Sequence, residues 1–138
     1  MEVTKKEFDE LTYLIVGAAI EVHKALGPGL LESIYHKCLK QEFFVRKLSY
    51  ESELLVPVNY KGIEMDAELR CDFLVEGKIV VELKAVDAIA PVFEAQLLTY
   101  MKLLQKPKGI LINFNCVNLF KEGQRTYVNE LFRALPEQ

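Results

Sequence analysis

The stretch from Ala67 to Val86 constrains this chain more than any other. It holds two runs in which apolar and polar residues alternate, Leu69, Cys71, Phe73 and Val75, then Ile79, Val81, Leu83 and Ala85, on either side of Glu76-Gly77. Alternation with period two is the pattern of a half-buried strand, and two such runs around a glycine make a hairpin. For both apolar sets to share one core face, opposed residues must have numbers of even sum, because opposed side chains point the same way. A two-residue turn at Glu76-Gly77 would set Val75 against Lys78, which breaks that rule, so a three-residue or bulged turn is predicted. In that register Asp72, Glu82 and Lys84 project together from the opposite face.

The flanking segments are helical. Residues 5–26 carry Phe8, Leu11, Leu14, Ile15, Ala18, Ala19 and Val22 at spacings of three and four, with Thr4 as N-cap and Glu7 completing a capping box. Gly27-Pro28-Gly29 breaks that pattern, and a second helix is predicted over Leu30–Arg46 with Leu31, Ile34, Tyr35, Cys38, Leu39 and Phe43 on one side. Leu54, Val56 and Val58 then alternate as a strand that ends in the turn Tyr60-Lys61-Gly62. A third helix is predicted from Pro91 to Gln105, stopped by Pro107 and Gly109, and Lys108–Phe114 reads as a buried strand. Residues 116–138 are ambiguous, with one or two short strands around Gly123 and a terminal helix from Asn129. The prediction is an α/β (α+β) domain spanning 1–138, a mixed sheet flanked by helices.

Composition narrows the partners. With 138 residues, 51% of them hydrophobic, a real core is expected without staples. Cys38, Cys71 and Cys116 are scattered and odd in number, which suits buried thiols in a reducing compartment rather than a disulfide or zinc framework. Acidic residues in the first seven positions do not suit a signal peptide, and Leu14–Ile20 is too short for a membrane span. A cytoplasmic protein with no membrane partner is expected. A net charge of −3 argues against a strongly basic nucleic-acid coat. It leaves room for an enzyme that gathers carboxylates for a metal.

Asp72, Glu82 and Lys84 fit two readings. A cross-strand salt bridge on a wet sheet face is common and contributes about 0.2–1 kcal/mol. Two carboxylates and an ammonium on one face also suit a hard divalent cation beside a reacting phosphate. Glu32, at the edge of the second helix's apolar stripe, is either a first-turn charge favoured by the helix dipole or an inward ligand. Gln96 and Tyr100 share a helix face four residues apart, either as ordinary surface residues or as a pair holding a phosphate or the lysine. His23 and His36 read as helix-face residues, although His36, one turn beyond Glu32, could approach the site.

Gly29-Leu30-Leu31-Glu32-Ser33-Ile34-Tyr35 has the GxxExxY pattern that names a small prokaryotic family. Together with Asp72, Glu82-Leu83-Lys84 and Gln96-Leu97-Leu98-Thr99-Tyr100, it resembles the PD-(D/E)xK nuclease superfamily in its RecB-like branch with a QxxxY helix. The resemblance implies a restriction-endonuclease-like core with a hairpin-borne active site. It implies that Asp72, Glu82, Glu32 and the Leu83 backbone carbonyl bind Mg2+ or Mn2+, and that Lys84 positions or activates water. Gln96 joins Lys84, Glu82 and Asp72 in catalysis, and Gln96 with Tyr100 supports the lysine or meets the nucleic-acid backbone. The implied activity is metal-dependent hydrolysis of DNA phosphodiester bonds. The alternative is an idle nucleic-acid-binding or protein-interaction module of the same fold. A homodimer or protein partner is expected to extend so short a chain. Two departures stand out: Arg70 and Cys71 occupy the place of the superfamily's proline, and no residue matches the RecB-like upstream histidine, Glu32 taking that role.

Overall fold

The computed structural model describes residues 3–138. Helix α1 runs Lys5–Leu26, opened by Thr4, whose Oγ1 accepts the Glu7 N–H at 3.2 Å. After the Gly27–Gly29 break, α2 runs Glu32–Val45. Strands β1 (Tyr50–Tyr60), β2 (Ile63–Val75) and β3 (Ile79–Lys84) follow, then α3 (Pro91–Leu104), β4 (Lys108–Asn113), β5 (Gln124–Val128) and a short α4 (Glu130–Arg133). The sheet order is β1-β2-β3-β4-β5, with only β3 and β4 parallel. That parallel pair needs a crossover, which α3 supplies.

Helices cover both faces. Phe8, Ile15, Ala19, Tyr35, Leu39 and Phe43 of α1 and α2 bury against Phe73, Val81, Leu83, Ile110 and Ile112. On the other face Leu97, Tyr100 and Met101 of α3 bury against Val80, Leu111, Leu74 and Cys71. This is the mixed sheet flanked by helices that a restriction-endonuclease-like fold requires. The ambiguous tail resolves into a wide π-type turn at Leu119–Gly123, then β5, then α4 capped by Asn129.

The β2–β3 turn has three residues. Val75 pairs with Ile79 and Phe73 with Val81, as the alternation demands, and Glu76 and Gly77 both take positive φ, 54° and 65°. One expectation needs correcting. Leu69 and Cys71 do not share a face with Phe73 and Val75; they pack on the α3 side, whereas Phe73 and Val75 face α1 and α2. Across the ladder from the change of face stands Glu53. Ser52 pairs with Phe73 and Leu54 with Cys71 in one unbroken register, but Glu53, opposite Asp72, sits at φ 53° and is missing from the ladder. A left-handed residue inside a strand rotates the next side chain to the wrong face, and the alternation slips by one. Asp72 stands at that slip, where the hairpin passes from one helical layer to the other.

Candidate active site

The β2–β3 ladder stops at Phe73–Val81. Beyond it the strands are joined by side chains. The Asp72 N–H donates to Glu82 Oε2 at 2.6 Å, and the Leu83 N–H donates to Asp72 Oδ2 at 2.7 Å. Each carboxylate thus uses one oxygen to replace a lost backbone bond and keeps the other. The exit of β3 is pinned as well: Asn113 accepts the Val86 N–H at 3.1 Å and donates to the Val86 carbonyl at 2.9 Å. Nothing in the sequence singled Asn113 out, since an asparagine at a strand end usually marks only a turn.

Glu82 is 5% exposed. Burial, then the Asp72 carboxylate, pushes its pKa up to about 8, against the opposing pull of the Asp72 N–H and Lys84. Asp72 is raised by burial and lowered by the Leu83 N–H, His36 and Lys84. Glu32, in the first turn of α2, is raised by partial burial and by Asp72, while Lys84 lowers it. The three acids and the lysine therefore feel one another. Lys84 is half-buried, its ammonium 4.3 Å from the centroid of the Phe93 ring on α3. A cation over an aromatic face is attracted by the ring's quadrupole.

Glu32 owes its place to the corner before it. Tyr35 is fully buried, donates to the Gly27 carbonyl at 2.6 Å and accepts the Leu30 N–H at 3.2 Å, and stacks on Phe114 at 4.5 Å. Gly29, at φ 99°, takes a conformation open to glycine. A glycine to turn, a tyrosine to lock the turn and a glutamate between them is the physical content of Gly29-x-x-Glu32-x-x-Tyr35.

His36 does reach the site. Its Nδ1 is 3.9 Å from Asp72 Oδ1, its Nε2 is 2.8 Å from Ser52 Oγ, and its ring stacks on Phe73 at 4.4 Å. Burial lowers its pKa, opposed by the Asp72 and Glu53 carboxylates. The spacing from Glu32 was the only sequence signal for it. Ser33, Ser52 and Glu53, which line the same cavity, left none. Gln96 and Tyr100 do pair, the glutamine Nε2 donating to the Tyr100 hydroxyl at 3.0 Å. Burial and the nearby Glu82 carboxylate raise the tyrosine. That pair lies along α3 beside Glu82, while the close partner of Lys84 is Phe93.

This donor set suits a hard, water-rich cation. Asp72, Glu82 and Glu32 all resist ionisation where they stand, and one ammonium does not balance three carboxylates. Among the described residues, no three His, Cys, Asp or Glu side chains close into a cage for an ion. A zinc-type four-ligand site is therefore not built here, whereas magnesium takes one or two carboxylates and fills its octahedron with carbonyl oxygen and water.

A family model described as the PD-(D/E)XK nuclease superfamily matches residues 9–126. No curated protein and no solved structure matches the chain.

Proposed function

Because the chain belongs to the PD-(D/E)XK nuclease superfamily, we propose that it is a metal-dependent nuclease that hydrolyses DNA phosphodiester bonds. The observation that carries this reading is the meeting of Asp72, Glu82 and Lys84 where β2 parts from β3. The free oxygens of Asp72 and Glu82, the Leu83 carbonyl and Glu32 would hold Mg2+ or Mn2+. Bound there, the ion supplies Lewis-acid polarisation of the phosphate and lowers the pKa of water. Lys84 sets its ammonium where negative charge grows on the phosphate and orients the attacking water, whose oxygen joins phosphorus as the opposite P–O bond breaks. Asp72 and Glu82 hold that end of the hairpin rigid through the two backbone bonds they accept. Gln96 fixes the Tyr100 hydroxyl and offers its remaining amide valences to the nucleic-acid backbone.

Within the superfamily, the GxxExxY corner and the Gln96–Tyr100 pair support a place in the GxxExxY family and the RecB-like branch, a prokaryotic setting included. Three free cysteines suit the reducing cytoplasm. No helix is long and apolar enough to cross a membrane. A second copy or protein partner would widen the footprint of this single 1–138 domain.

The test is cleavage of labelled single-stranded, double-stranded and branched DNA with magnesium or manganese, wild type against Lys84→Ala. The expected result is a loss of about 100-fold or more in the variant. Equal cleavage would sink the assignment. The alternative is an idle module of the same fold that binds nucleic acid or protein. A folded, metal-loaded wild type that cuts nothing would establish it.

A further inference from the structure

The outward stripe of α2 bears on which form of nucleic acid the site receives, an inference that rests on the nuclease reading above. Ser33, Lys37, Lys40, Gln41 and Phe44 recur at three and four, and so lie along one side of the helix. Tyr35, Leu39 and Phe43 face the core instead. Hollows follow the stripe. The first, of ≈ 550 Å³, joins Asp72, Glu32 and His36 to Lys37 and Lys40. The second, of ≈ 360 Å³, shares those two lysines and adds Gln41, Phe44 and Tyr50. A third shares Phe44 and Tyr50 and adds Lys47 and Ser49. Neighbouring hollows share lining residues from the carboxylates to Phe44, about 18 Å along the helix axis.

Their floor is rigid. Tyr50 packs 5.8 Å from Phe43 and edge-on at 5.7 Å to Phe73, the ring on which His36 stacks. The aromatic cluster that backs the candidate active site therefore also carries the far hollows. Phe44 is 72% exposed at the lip, beside Val45, itself 61% exposed. Lys37 and Lys40 have no carboxylate partner among the described residues. What sets them apart from other exposed lysines is their place: both line the hollow that holds Asp72 and Glu32.

Two unpaired lysines, an amide and an exposed phenyl ring, in that order from the acids, match one ligand chemistry. A duplex shows phosphates but keeps its base faces stacked inside, and gives a phenyl ring nothing to lie against. An unpaired base offers a π-face, and aromatic side chains beside a basic groove bind single strands in this way. We propose that the α2 stripe is a track for a single strand, with Lys37 and Lys40 on successive phosphates and Phe44 stacked on an unpaired base a few nucleotides from the scissile bond.

The experiment is fluorescence anisotropy with a short labelled oligothymidylate and with a duplex of the same length, in EDTA so that nothing is cut. Wild type should prefer the single strand. Phe44→Ala should weaken it about tenfold or more while leaving duplex affinity unchanged, and Phe44→Tyr should restore it. Lys37→Ala and Lys40→Ala should each flatten the slope of log K against log salt by about 0.7. Equal single-strand affinity for Phe44→Ala and wild type, a preference for duplex, or binding of neither would overturn the track. Because binding is read without metal, a protein that holds the strand through Phe44 and never cuts would overturn the nuclease reading and keep the track. One that cuts duplex regardless of Phe44 would do the reverse.

Discussion

Glu82 keeps its proton at a pH where most carboxyls have lost theirs, and that has a measurable cost. Its pKa rises from 4.5 to about 8 on folding. Between those values the folded protein holds a proton that the unfolded chain has released, so without metal the stability contributed by this group falls as pH rises from about 4.5 to 8. Asp72 and Glu32 shift the same way. Glu82→Gln keeps an acceptor for the Asp72 N–H and removes the charge. In EDTA the variant should lose less stability between pH 5 and pH 8 than wild type, and should be the more stable of the two at pH 8. Chemical denaturation at both pH values checks this, and a variant as pH-sensitive as wild type would place the titration elsewhere. Legibility in the sequence was uneven at this scale. The three-residue turn after Val75 and the pairing of Phe73 with Val81 could be read from the alternation. The left-handed backbone of Glu53 could not, because Leu69 and Cys71 are apolar enough to bury on either face. With that slip hidden, so was the way Asp72 comes to face His36 and Ser52 as well as Glu82.

The elements themselves were legible where local chemistry marks their ends: Thr4 at the start of α1, Gly27-Pro28-Gly29 after it, and Pro91 at the head of α3. Gly109 shows the limit. The sequence reads it both as part of the helix stop with Pro107 and as a residue of the strand Lys108–Phe114; the strand is borne out, but nothing in the sequence shows that this glycine lies directly beneath α3. A Cβ there would meet Met101 Sδ at 2.7 Å and the Leu97 side chain at 2.9 Å. The missing side chain is what lets α3 lie close enough to bring Tyr100 and Gln96 alongside Glu82. Gly109→Ala should destabilise the protein by about 1–3 kcal/mol, the usual cost of overpacking a dense core. It should also lower cleavage by more than its folded fraction explains, because α3 must move outward from the site. Urea denaturation and activity per folded molecule separate the two effects. An alanine variant of wild-type stability would mean that α3 yields freely.

The whole molecule gathers its chemistry at one end of the sheet, where the first turn of α2, the start of α3 and the last residues of β3 meet. Both layers contribute, and the net charge of −3 hides the separation between acids inside and lysines along α2. Such an arrangement stores electrostatic tension that a divalent ion relieves, so metal binding and folding must be linked. An ion at about 100 times its dissociation constant adds about 2.7 kcal/mol of stability. Its ligands must be ionised to bind it, so affinity rises as protons leave Asp72 and Glu82. Magnesium should therefore raise the melting temperature, and by more at pH 8 than at pH 6. Asp72→Asn should abolish most of the shift while still folding, because its amide oxygen can accept the Leu83 N–H. Thermal unfolding with magnesium, manganese or EDTA at both pH values reads all of this. A shift of the same size in Asp72→Asn would place the ion away from the hairpin. No shift in wild type at either pH would leave the acids without a cation and turn the site into that of a binding module.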